Sequence, residues 1–149
     1  MTHLLSLLIQ HFKKQIEGAI PLPEEVELTD RLRAGIRLAL PLSTDADKVL
    51  DLGCSYGYLE ALISRKVKYV VGVDVDKKAI NLAKKNVRNS SNIHLLVADI
   101  EKGLPFRPQS FNKVLFFDVL EHLKNDNMIL KEINRILEDD GILIISVPP

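Results

Sequence analysis

The chain predicts an α/β fold built on a doubly wound, mainly parallel sheet, and three observations predict it. From residue 48 onward, short apolar runs alternate with stretches whose apolar residues recur at helical spacing. Most of those runs are apolar throughout, as strands buried on both faces of a parallel sheet must be. The first run, Val49-Leu50, leads into Asp51-Leu52-Gly53-Cys54-Ser55-Tyr56-Gly57, a glycine-containing turn of the kind that joins a strand to a helix.

The elements follow in order. Leu4, Leu5, Leu8, Phe12 and Ile16 make one helical stripe, and Leu28, Leu32, Ile36 and Leu40 make a second. Pro21 and Pro23 separate them, and Pro41 with Ser43-Thr44-Asp45 ends the second. Residues 1–44 therefore read as a helical cap on a core of residues 45–149, within one domain. Two roles stay open for the cap: covering apolar surface, or closing over a ligand. In the core, strands are expected over 48–52, 69–74, 93–97, 112–117 and 141–147, and helices over 58–66, 77–89 and 125–137. Right-handed crossovers between such strands favour the doubly wound arrangement, whose ligands bind beyond the carboxyl ends of the strands.

Size and charge bound what such a chain does. At 149 residues and 46% hydrophobic, it can bury one core. Twenty basic and twenty acidic residues cancel, so net charge gives no nucleic-acid signal and no footprint for an anionic membrane. A single cysteine excludes an internal disulfide, and no Cys/His cluster has zinc spacing. The run from Leu4 to Ile9 is too short to span a bilayer and lacks the flanks of a secretory leader. A reducing cytoplasm is the expected location.

The glycine turn is neither common nucleotide loop. Gly57 is followed by Tyr58 and Leu59 where a phosphate loop needs Lys-Ser/Thr, and Gly53 to Gly57 lacks the middle glycine of the dinucleotide fingerprint. Asp51 would repel a phosphate, so a ligand with a cationic or hydroxyl-rich face suits it better. Each of the first four core strands carries an acid at or beside its carboxyl end: Asp51, Asp74, Asp99 and Asp118. Asp74 stands about twenty residues after the turn, where doubly wound folds place a ribose-binding acid. Its competing role is as an N-cap, which Asp76 can fill instead. Asp99 can accept from an exocyclic amine beside an apolar wall at Ile100, or hold a turn ahead of Lys102-Gly103. Asp51 either counters a cationic ligand centre or supports the turn.

These residues resemble the class I S-adenosylmethionine-dependent methyltransferases, on the small-molecule side of that family. Val49 to Gly57 resembles its first motif, Val71-Gly72-Val73-Asp74 its acidic second strand, and Ala98-Asp99 its adenine-contacting position. Leu104-Pro105-Phe106, Ser110-Phe111-Asn112 and Phe117 to Leu123 are similar to the fourth-strand region, and Ser146 to Pro149 to the end of the fifth. The resemblance implies a Rossmann-like core of strand order 3-2-1-4-5, with S-adenosyl-L-methionine as cofactor. It implies that Gly53, Cys54, Ser55 and Gly57 border the methionine moiety with Asp51 near its amino group. Asp74 with Val75 would then take the ribose, Asp99 with Ile100 the adenine, and Asp118 the methyl-transfer side. Ser55 departs from the commoner glycine.

A base is needed only where the acceptor must lose a proton early, and Glu121 and His122 are the candidates beside Asp118. They equally suit a local structural role. Asp118, Glu121 and His122 also form a D-x-x-E-H set similar to the metal ligands of small-RNA 2'-O-methyltransferases, but no later histidine completes it. The expected acceptor is a small molecule. The alternative is an inactive cofactor-binding module that needs another chain. Family members usually continue past the fifth strand, so a homodimer or partner chain, the amino-terminal segment or simple solvent exposure is expected along that edge.

Overall fold

A computed structural model describes residues 29–147 of the chain. Strands β1 (Lys48–Leu52), β2 (Tyr69–Asp74), β3 (Ile93–Val97), β4 (Phe111–Phe117) and β5 (Leu137–Ser146) form one sheet in the order β3-β2-β1-β4-β5. Every neighbouring pair is parallel. Helix α1 (Asp30–Ala34) runs on through a π-turn at Gly35–Ala39 and a 3-10 turn at Leu40–Leu42. Helices α2 (Tyr58–Ile63), α3 (Lys77–Asn86) and α4 (Asp126–Ile136) connect the strands.

The two-residue period of a strand sorts the core into two faces. Val49, Leu115 and Phe117 pack with Leu32, Ile36, Leu59, Leu62 and Ile63, so α1 and α2 cover one face. Leu50, Leu52, Val114 and Phe116 pack with Ile129, Ile133 and Ile136 of α4 on the other. Asp51 shares the face of Val49 and Phe117, which places its carboxylate inside the α1–α2 layer.

Helix boundaries follow from local chemistry. Asp76 caps α3, its carboxylate accepting from the Lys78 and Ala79 amides at 2.8 and 3.3 Å. Asn125 caps α4 by accepting from the Met128 amide at 3.1 Å. The expected helix over 58–66 stops at Ile63, where the Ser64 hydroxyl donates back to the Ala61 carbonyl and Val67 turns into the core. The helix expected over 77–89 stops at Asn86, with Val87 likewise turned inward. Strand β5 starts at Leu137 rather than 141, because Leu137 already pairs with Phe111. Glu138 to Gly141 then bulge out before Ile142 rejoins at Lys113. The edge strand β3 is mostly exposed, against the expectation of a fully buried run, since it has a neighbour on one side alone.

The second helical stripe spans α1 and its two turns, and Leu32, Ile36 and Leu40 are all buried. The first stripe, from Leu4 to Ile16, and Leu28 lie outside the described residues. Among the described residues no helix is long and apolar enough to cross a membrane.

A polar knot ties this layer to the sheet at the amino ends of the strands. Asp47 accepts from the Thr44 amide and from Asn112 Nδ2, each at 2.8 Å, and pairs with the buried ammonium of Lys113. Lys113 also donates to the Leu42 carbonyl. Burial pushes the Asp47 carboxyl up, but the hydrogen bonds from Lys113, Thr44 and Asn112 outweigh it and hold the group below the usual aspartate value.

Candidate cofactor site

At the opposite end of the sheet, β1 turns at Gly53 into α2. Gly53 and Gly57 have φ of +82° and +80°, the left-handed region that glycine enters without cost. Ser55 sits there too, at φ +51°, which explains physically why glycine is the easier residue at this position. The Gly53 and Cys54 amides both donate to the Val73 carbonyl, at 2.7 and 2.9 Å. The Ser55 amide donates to Asp74 Oδ2 at 2.8 Å, and the Asp76 amide to Asp74 Oδ1 at 2.9 Å. Asp74 is therefore not the cap of α3; it holds the turn against β2 with a half-exposed carboxylate.

Gly72 lets the turn come down onto the sheet. A Cβ there would stand 2.8 Å from Cys54 Cβ and 2.9 Å from Leu95 Cδ2. Gly72→Ala is expected to lower stability by about 1–3 kcal/mol through overpacking, read from the urea midpoint. An unchanged midpoint would show that the turn yields freely.

Beneath the turn lies a buried charged cluster. Asp51 is 0% exposed, and its Oδ2 pairs with the guanidinium of Arg31 from α1. Arg31 also donates to the Phe117 carbonyl at 3.0 Å, bridging the ends of β1 and β4. Glu60 of α2 is also 0% exposed. Asp51 Oδ1 and both Glu60 oxygens accept from no donor among the described residues. Burial first, and then the neighbouring Asp51, push the Glu60 carboxyl well above the usual range. Burial opposes the charge on Arg31, but Asp51 and Glu60 beside it hold its pKa above the ordinary arginine value. The Cys54 thiol is driven far up by burial and by Glu60, Asp51 and Asp74, so it is a packing residue.

The remaining expected residues lie just after the carboxyl ends of β2, β3 and β4. Val75 is 67% exposed, and Ile100 is buried. Asp99 Oδ1 accepts from the Glu101 amide at 3.0 Å, and the carboxylate lies 3.5 Å from Lys102, so it does carry a turn. Asp118 adopts φ +53°, donates its amide to the Ser146 carbonyl at 3.1 Å and accepts from the Ser146 hydroxyl at 3.1 Å. Glu121 and His122 sit on an exposed 3-10 turn, with His122 Nε2 3.7 Å from Glu121 Oε1. They do not start α4, which Asn125 caps. The described residues bring no three His, Cys, Asp or Glu side chains together as a metal set, so Asp118, Glu121 and His122 do not converge as one.

Arg31 and Glu60 were not anticipated from sequence. Glu60 had a signal, since it is the one acid inside the otherwise apolar α2 run Leu59 to Ile63. Arg31 had none, because its partners are 20 and 86 residues away.

A parallel sheet of order 3-2-1-4-5, with carboxylates ringing a glycine turn at its switch point, defines a nucleoside-cofactor domain. The family described as a methyltransferase domain matches residues 50–145. The chain is 31% identical over 106 residues to (S)-coclaurine N-methyltransferase of Thalictrum flavum subsp. glaucum, a match spanning 68% of this chain and 29% of that one. It is 34% identical over 113 residues to a probable S-adenosylmethionine-dependent methyltransferase of Mycobacterium tuberculosis, spanning 75% and 39%. Among solved structures it is similar to the complex between the Haloferax volcanii Trm112 methyltransferase activator and the putative methyltransferase. There the TM-score is 0.71 at 27% identity, over 80% of this chain and 54% of that one. The chain belongs to the class I S-adenosylmethionine-dependent methyltransferases. It spans well under half the length of the curated relatives it matches.

Proposed function

We propose that this chain holds S-adenosyl-L-methionine and directs its methyl group to a small-molecule acceptor. One observation carries the reading: Asp51 and Asp74, at the ends of the adjacent strands β1 and β2, flank the Gly53–Gly57 turn, and Asp51 Oδ1 is an acceptor without a donor. That donor set fits the cofactor. A buried carboxylate oxygen suits an ammonium, and a half-exposed carboxylate suits a pair of ribose hydroxyls.

Bound there, the cofactor supplies an electrophilic methyl on sulfur. The chain's own residues bind and orient. Asp51 takes the amino end, with Gly53, Cys54, Ser55 and Gly57 alongside; Asp74 and Val75 take the ribose; Asp99 and Ile100 take the adenine. Asp118 borders the acceptor, and Glu121 or His122 receives a proton where the acceptor must lose one. Residues 1–44 act as a cap whose Arg31 reaches the site, on a core of residues 45–149 in one domain, in a reducing cytoplasm. Along β5, exposed Ile142, Ile145 and Val147 offer an apolar edge for a second copy or a partner chain. Small-molecule acceptors are supported by the N-methyltransferase relative.

A second reading, a cofactor-holding subunit that needs another chain for activity, is favoured by the similarity to a methyltransferase solved with its activator. Calorimetry with S-adenosylhomocysteine and with NAD, followed by transfer of a labelled methyl group into the low-molecular-weight fraction of a cell extract, separates these readings. Tight binding and labelled product are expected. Binding without transfer selects the subunit reading, and NAD binding alone overturns both.

A further inference from the structure

We propose that Glu60 and Asp51 share one proton, and that this proton is released when the cationic amino end of the cofactor settles against Asp51. The inference rests on the cofactor reading above and assigns Glu60 a task that reading leaves empty: a positioning residue that balances charge beneath the turn.

The argument starts from an imbalance. Two fully buried carboxyl groups, Asp51 and Glu60, face one guanidinium, Arg31. Two buried anions beside one cation leave a net charge that the interior disfavours strongly. Among the described residues, the charged or titratable groups around Glu60 are Asp51 from β1, Arg31 from α1 and Cys54 from the turn. None of the three supplies a donor to the three orphaned oxygens. Asp51 and Glu60 are both fully buried and carry the orphaned oxygens, and a proton on Glu60 donating to Asp51 Oδ1 makes the cluster neutral. It also leaves Asp51 Oδ2 aimed at Arg31.

An ammonium changes the count. It brings one positive charge and three donors, and the orphaned acceptors also number three: Asp51 Oδ1, Glu60 Oε1 and Glu60 Oε2. With the ammonium in place, neutrality returns when Glu60 gives its proton to solvent. No bond other than that O–H is broken, and the buffer takes the proton. The Cys54 thiol holds its own proton too tightly to be the source.

The test is titration calorimetry of the full chain with S-adenosylhomocysteine, in phosphate and in Tris at the same pH, repeated from mildly acid to mildly alkaline conditions. The buffer dependence of the heat counts protons. The wild type is expected to release up to one proton per ligand, most at the acid end of that range and less toward the alkaline end, because burial and the neighbouring Asp51 raise the Glu60 value. Glu60→Gln, which keeps a donor for Asp51 but has nothing to lose, is expected to bind within about tenfold of wild type and release none. Stability gives an independent readout. Because the folded value of Glu60 is raised, its favourable contribution is complete below the unfolded glutamate value of about 4.3 and is lost as pH rises through the folded value. The stability of Glu60→Gln relative to wild type therefore grows with pH. Binding without proton release in the wild type, or equal release in both proteins, overturns the inference while leaving the cofactor reading intact. Failure of the wild type to bind overturns both. If Glu60→Gln does not fold, the wild-type proton count decides alone.

Discussion

Asp74→Ala is expected to weaken S-adenosylhomocysteine binding by about a hundredfold. Two effects add. The carboxylate proposed to take two ribose hydroxyls is lost, and charge-assisted hydrogen bonds contribute about 1.5–3 kcal/mol each against about 1.4 kcal/mol per decade of affinity. The Ser55 and Asp76 amides also lose their acceptor, so the turn is no longer held against β2. Calorimetry measures the affinity and thermal unfolding checks the fold. Asp74→Asn separates the two effects, because its carbonyl oxygen can still accept from one amide while the charge is gone. Affinity within threefold of wild type for Asp74→Ala, roughly 0.6 kcal/mol, would remove Asp74 from the site.

At the other end of the sheet, Asp47→Ala is expected to destabilise the protein by about 3–5 kcal/mol, because it leaves the Lys113 ammonium buried without its counter-ion. The Lys113 residue is 3% exposed, and Asn112 Nδ2 and the Thr44 amide lose their acceptor as well. The pH dependence has a defined sign. Asp47 is held below its ordinary value in the fold, so its contribution is present above the unfolded aspartate value of about 3.9 and is lost as pH falls through the folded value. The gap between wild type and Asp47→Ala in urea midpoints should therefore close in acid. A gap of constant size down to strongly acid pH would show that packing, and not charge, is what Asp47 supplies. Cofactor affinity per folded molecule should not change, since the knot stands at the ends of the strands away from the turn.

How far the sequence carried is clearest in particular elements. Strands β1, β2 and β3 have the bounds expected from sequence, 48–52, 69–74 and 93–97, because each is a short, mainly apolar run with a turn after it. The order of the strands followed from the motif resemblance and holds in the sheet, and the carboxylates at the strand ends were read directly from the runs themselves. Less was legible where tertiary contacts decide. The stripe Leu32, Ile36, Leu40 fits a regular helix, but the backbone widens to a π-turn at Gly35–Ala39. There a Cβ on Gly35 would meet the Leu59 side chain of α2, so the two helices touch at that point. The polar run Glu138 to Asp140 falls between the expected helix and the expected last strand, although it is part of a bulge inside that strand. In the site, the turn and Asp74 were visible in advance. Arg31 was not, since a guanidinium that reaches across two strand ends leaves no local pattern.

Asp118 gives the backbone at the end of β4 a meaning beyond its hydrogen bonds to Ser146. A residue other than glycine at φ +53° carries a conformational penalty of about 1 kcal/mol, softened for aspartate, which tolerates this region better than most. Glycine would remove the penalty and the carboxylate together. Laboratory evolution for heat resistance alone would thus be drawn to Asp118→Gly and would harvest sturdier proteins that had lost the carboxylate proposed to border the acceptor. Selection that screens for methyl transfer as well should keep the strained aspartate and seek its gains elsewhere. Retention or loss of this one residue would then report which pressure had been applied.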